Sequence, residues 1–123
     1  LIVARQAELE RGVWRYDAED HRLEWLAGLA REEAQVLLEE ARRFTGAGDT
    51  PPILAVVTAR PGRVSWKYQR IAYALLLKEV GCLLQTLYLV GGAIGLGCCA
   101  VGCGDSAALS RRDSLDRMKA KDS

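Results

Sequence analysis

The chain has a single histidine, three prolines and no cysteine before Cys82. Each shortage removes a class of protein. One histidine gives a Ser-His-Asp triad or a histidine-rich metal site almost no raw material. Scarce proline, together with 50% apolar and 27% charged residues, is the composition of a folded domain and not of a disordered segment. The four cysteines, Cys82, Cys98, Cys99 and Cys103, crowd into the last third of the sequence and offer no long-range staple. A secreted disulfide framework is therefore not expected. No basic stretch followed by a short apolar run opens the sequence, so a cytoplasmic location is the expectation. A formal charge of +1 lacks the basic excess with which proteins hold nucleic acid.

What is present is apolar and unevenly charged. Residues 1–50 carry a net charge of −4, residues 51–105 one of +3 and residues 106–123 one of +2. Four cations of the middle part, Arg60, Arg63, Lys67 and Arg70, fall within eleven residues, beside the most apolar stretch of the chain. They mark a candidate site, although a solvated turn would have the same composition. Residues 80–104 run for 25 positions without a charge, long enough to span a hydrocarbon core. Gln85 in mid-span, and the charges of residues 67–79 on the same expected helix, argue against a membrane span.

Residues 1–5 read as the end of a strand, and residues 12–25 as a hairpin. In it Trp14 and Tyr16 share one face, Leu23 and Trp25 share one face, and Asp17-Ala18-Glu19-Asp20 makes the turn. Between residues 29 and 44, Ala30, Ala34, Leu37, Ala41 and Phe44 recur at helical spacing among charged residues, which predicts an amphipathic helix. Gly46, Gly48 and Pro51-Pro52 end it, and residues 53–60 read as a buried strand closed by Pro61-Gly62. A helix over about residues 68–95 should be buried nearly all round, because its apolar residues cover most of its surface. Packing explains Gly91 and Gly92, and capping explains Gly95 and Gly97. A short strand at residues 98–101 and a last helix capped by Asp105 or Ser106 complete an α+β pattern.

The chemistry-bearing residues are few. His21, beside Asp20 and Arg22 in the hairpin turn, reads as solvated. The cysteine spacings do not suit a metal, and buried apolar thiols are expected. Trp66-Lys67-Tyr68 stands where a turn passes into the long helix. At such a junction both side chains can face one cavity, and Lys67 close to Arg63 and Arg70 would lose its proton more readily, as a base requires. A snorkelling lysine and a wedging tyrosine are the plainer reading of the same spacing.

The run Arg63-Val64-Ser65-Trp66-Lys67-Tyr68-Gln69-Arg70-Ile71-Ala72-Tyr73-Ala74-Leu75-Leu76-Leu77 is followed by Val80-Gly81 and Leu84-Gln85-Thr86-Leu87-Tyr88-Leu89. After these comes Gly95-Leu96-Gly97-Cys98-Cys99-Ala100-Val101-Gly102. Together with the hairpin Gly12-Val13-Trp14-Arg15-Tyr16-Asp17 and His21-Arg22-Leu23-Glu24, these segments resemble the nitroreductase-like flavoproteins. The resemblance is to their SagB-type branch of thiazoline and oxazoline dehydrogenases, and covers residues 1 to about 118. It implies a nitroreductase-like α+β fold with a mixed or antiparallel sheet packed on a long central helix, a homodimer built around that helix, and FMN at the dimer interface.

By the same resemblance, Lys67 and Tyr68 deprotonate the azoline ring of a modified peptide, and Ala100, Val101, Gly102 and Cys103 lie along the flavin. It implies partners among other biosynthetic enzymes and leaves room for a small-molecule substrate. Members of that branch carry an arginine-bearing segment for the flavin phosphate and a Pro-Ser-Gly-type loop upstream of the equivalent of residues 1–5. They also carry a closing strand beyond the equivalent of Ser123. Residues 1–123 are accordingly expected to be the interior and C-terminal part of a single domain. The alternatives are a general NAD(P)H-dependent nitro or flavin reductase, and a flavin-free scaffold or docking module of the same fold.

Overall fold

The computed structural model describes residues 1–5, 8–58 and 69–102. The chain divides into two compact units, one made of Leu1–Val56 with Val101–Ser123 and the other of Val57–Ala100. In the first, β1 (Ile2–Val3), β2 (Gly12–Asp17), β3 (Arg22–Gly28) and β4 (Ile53–Leu54) form an antiparallel sheet in the order β3-β2-β1-β4. Helix α1 (Glu32–Thr45) joins β3 to β4.

The β2–β3 hairpin follows the expected pattern. Trp14 stands opposite Trp25 and Tyr16 opposite Leu23, so these four side chains share one face of the ladder. The two indoles meet edge to face with ring centroids 5.0 Å apart, a geometry worth about 0.5–1.5 kcal/mol beyond area burial. Gly12 makes room for them, because a Cβ there would run into the Trp25 ring and the Ala27 carbonyl. In the turn, the Asp17 carboxylate accepts the Glu19 N–H at 3.0 Å, and His21 takes a φ of 50°.

Helix α1 closes the core over this sheet. Ile2, Val13, Ala34 and Leu38 pack together, flanked by Ala4, Leu26, Leu29, Leu37, Leu54 and Val56. The buried stripe of α1 is Ala34, Leu38 and Ala41, and Phe44, expected on that stripe, is exposed. Burial steps of four and three from Ala34 reach Leu38 and Ala41, which turns Phe44 outward. Glu32 and Glu33 in the first turn and Arg42 and Arg43 in the last suit the helix dipole. Gly46, at a φ of 65°, ends the helix.

Of the expected buried strand over residues 53–60, residues 59 and 60 lie outside the described residues; among the described ones it is a two-residue strand at the edge of the sheet. Ile53 and Leu54 pair with Val3 and Ile2, Ile53 and Val57 are exposed, and residues 55–58 are in no strand. β1 itself is only two residues long, so it offers β4 no longer ladder to pair with. The junction is secured from the other side. Pro52 O accepts the Ala4 and Arg5 N–H groups at 2.8 and 3.1 Å, and the Arg5 guanidinium reaches Asp49 Oδ2 at 2.6 Å and Thr50 O at 3.0 Å.

In the second unit a 3-10 turn (Gln69–Ile71) leads into α2 (Ala72–Ala93), about 33 Å long at 1.5 Å per residue. The expectation of a helix buried nearly all round is not met: Ala72 and Gly91 are its buried residues. Tyr73, Leu77, Val80, Leu83, Leu87, Leu89 and Val90 are all exposed. An apolar surface needs a cover, but composition does not say whether the same chain supplies it. By length and hydropathy α2 would also reach across a membrane, a test that core helices of soluble proteins pass as well.

Candidate functional site

The end of α2 is built by its glycines. Gly95 takes a φ of 78°, a left-handed conformation that a side chain opposes. With it in place the Leu96 N–H reaches Gly91 O at 2.8 Å and the Gly95 N–H reaches Gly92 O at 3.3 Å. This pair of bonds is a Schellman motif, and it satisfies carbonyls that the helix end would otherwise leave open. The chain then turns back on its own helix. Cys98 Sγ donates to Leu87 O at 3.6 Å, and the Ala100 N–H donates to the Tyr88 hydroxyl at 2.7 Å.

Of the two neighbouring glycines, Gly91 alone lies under this returning segment. A Cβ at Gly91 would collide with Cys98 Sγ, whereas one at Gly92 would meet nothing within 4 Å. Packing thus accounts for Gly91 and not for Gly92, and capping accounts for Gly95 and not for Gly97, which has no positive φ. The expected strand at residues 98–101 is absent. These residues are in no strand, because what they bond to is the helix, not a neighbouring ladder.

The residues expected to serve a flavin divide between what is described and what is not. Ala100, Val101 and Gly102 are described, and all three are exposed. Lys67, Tyr68 and Cys103 lie outside the described residues, as do Arg60 and Arg63 of the basic cluster. Arg70, its fourth member, is exposed in the 3-10 turn. The expectation of buried thiols is corrected: Cys82, on α2, and Cys98 and Cys99, in the segment that follows it, are free and exposed, with none of the described residues burying them. Tyr88 stood out in the sequence only as one apolar residue of a helix. Its partner lies twelve residues away, at a spacing that carries no periodic signal.

His21 is exposed, and its Nδ1 lies 2.5 Å from the Tyr16 hydroxyl, with the two rings edge to face. The hairpin itself carries no serine or cysteine, and within it the pair links the turn to β2.

A family model described as "Nitroreductase family" matches residues 1–119. The chain belongs to the nitroreductase family. No curated protein and no solved structure matches the chain significantly. An antiparallel sheet with α1 over it and a long second helix is an α+β architecture that agrees with the nitroreductase-like fold. Membership makes the chain's chemistry that of a flavin-dependent oxidoreductase, and members of the nitroreductase family generally use FMN.

The described residues suit such a group. Residues 97–100 form an exposed run of small side chains in neither helix nor strand. A Cβ at Gly97 or Gly102 would meet nothing within 4 Å. A backbone edge of this kind leaves room for the face of a flat aromatic ring to approach closely.

Proposed function

We propose that this chain is part of an FMN-dependent dehydrogenase that converts thiazoline or oxazoline rings in a peptide to azoles. The observation that carries the flavin part of this reading is the exposed, small-residue run that leaves the end of α2. The azoline part rests on Trp66-Lys67-Tyr68, placed in sequence directly before the 3-10 turn and α2. Bound FMN supplies a two-electron acceptor for a hydride. Ring oxidation breaks two C–H bonds on neighbouring ring atoms and creates one double bond, so one hydrogen leaves as hydride and the other as a proton. Lys67 and Tyr68 take that proton. Ala100, Val101, Gly102 and Cys103 hold the cofactor by backbone contact.

The same reading gives the exposed face of α2 a cover. A second copy of the chain packs there, and the protein is a homodimer. Eight large apolar or aromatic side chains along one helix, all exposed, exceed what a soluble monomer ordinarily leaves in water. Light scattering on the purified protein without detergent should give twice the chain mass.

The deciding experiment is anaerobic stopped-flow reduction of the FMN-loaded protein. An azoline-containing peptide should bleach the flavin, and Lys67→Ala should slow that step by about 10²–10⁴ while leaving the protein yellow. Rapid bleaching by NADPH alone would favour a general nitro or flavin reductase. Retention of full peptide-driven bleaching in Lys67→Ala would remove the lysine from the chemistry.

A further inference from the structure

We propose that Tyr88 is a positioning residue for the flavin-facing segment, acting through the Ala100 backbone. The inference rests on the reading of Ala100, Val101 and Gly102 as flavin contacts, and names the group that sets where they stand. Three ties bring the chain back along α2, at alternate residues: the Leu96 N–H to Gly91 O, the Cys98 thiol to Leu87 O, and the Ala100 N–H to the Tyr88 hydroxyl. Two of the ties use backbone N–H groups and one a thiol, and together they hold residues 96–100 against the last turns of α2. Among the described residues, the Tyr88 bond is the last tie to α2 before Val101 and Gly102; the Ala100 carbonyl accepts only the neighbouring Cys99 thiol, at 3.9 Å, and no strand ladder takes over.

The side chain is suited to the task. Its ring belongs to the apolar helix surface while its hydroxyl offers a polar tip. Phenylalanine would keep the ring and lose the acceptor. The Ala100 amide would then exchange its tie for water, and the segment would open locally without loss of the helix. A neutral hydrogen bond of this kind is worth about a two- to tenfold change in such an opening equilibrium. A global stability measurement would barely register it, whereas a cofactor lying on the segment would.

The test compares wild type, Tyr88→Phe and Tyr73→Phe by amide hydrogen exchange and by FMN titration followed through flavin absorbance. Tyr73, also exposed on α2, serves as control because it makes no such bond among the described residues. In Tyr88→Phe the Ala100 amide should exchange about two- to tenfold faster, the FMN Kd should rise by a similar factor, and the flavin band should shift. The mid-helix amides around Leu83 should keep their wild-type rates, and Tyr73→Phe should change nothing. An unchanged Ala100 rate in Tyr88→Phe would show that the tie does not hold the segment. A faster Ala100 amide with unaltered FMN affinity and spectrum would make Tyr88 a local strut without a positioning role. A wild-type protein that stays colourless with added FMN would overturn the flavin reading itself and this inference with it, an outcome distinct from the other two.

Discussion

Alanine in place of Gly91 should weaken the end of α2, while alanine in place of Gly92 should strengthen it. In a helix interior, glycine to alanine is favourable by about 0.8–1 kcal/mol. At Gly92 the new methyl meets open space, so the gain is retained, reduced somewhat by fraying at the last turn. At Gly91 the methyl runs into Cys98 Sγ, with the Cys98 Cβ itself 3.9 Å away. Either the thiol leaves its rotamer and its bond to Leu87 O, or the returning segment moves. Overpacking of this kind costs about 1–3 kcal/mol, which leaves Gly91→Ala between neutral and about 2 kcal/mol destabilising. The clash involves the sulfur, so Cys98→Ala should relieve it and let Gly91→Ala recover its helix gain. Urea unfolding followed by far-ultraviolet circular dichroism, over the double-mutant cycle, should return a coupling of about 1–3 kcal/mol. Equal stabilisation by Gly91→Ala and Gly92→Ala in the wild-type background would refute the packing of Cys98 on Gly91.

Three further outcomes are expected from the first unit. Gly12→Ala should destabilise by about 1–3 kcal/mol through collision with the Trp25 ring, seen as a lower thermal midpoint and a loss of near-ultraviolet indole signal. Arg31 caps α1 with extended backbone at φ −66° and ψ 127° but contributes no side-chain cap bond. Arg31→Asp should therefore stabilise by about 0.5–2 kcal/mol, measured by urea midpoint. The Arg5 guanidinium bonded to Asp49, helped by the Thr50 N–H, holds the Asp49 carboxyl below its usual range. A lowered folded-state pKa means that this contribution is complete above the ordinary carboxylate range and fades as the pH falls through the lowered value. Asp49→Asn should flatten the acid limb of the pH–stability curve there, and a limb as steep as wild type would show that the pair contributes nothing.

Local pattern was sufficient for much of this protein. The alternation in the hairpin puts Trp14, Tyr16, Leu23 and Trp25 on one face, because side-chain direction in a strand follows from the backbone alone. The helical spacing from Ala34 to Ala41, and the glycine needed to leave a helix at Gly46 and Gly95, are likewise properties of a few neighbouring residues. The Trp66-Lys67-Tyr68 junction and the segment from Gly95 to Gly102 pointed to the flavoprotein family that residues 1–119 match.

Tertiary structure decided the rest. Which residue of α1 enters the core, Leu38 and not Phe44, depends on how the helix lies on the sheet. The length of β4 is limited by its short partner β1, to which composition is blind. Apolarity marked α2 as a helix in need of cover, yet the free energy of burial is the same whether the cover comes from this chain or another, so its exposure could be seen only in the fold. The tie from Ala100 to Tyr88 and the slot at Gly91 join residues twelve and seven positions apart. They exist because Gly95 reverses the chain onto its own helix, a geometry that no periodicity in the sequence announces.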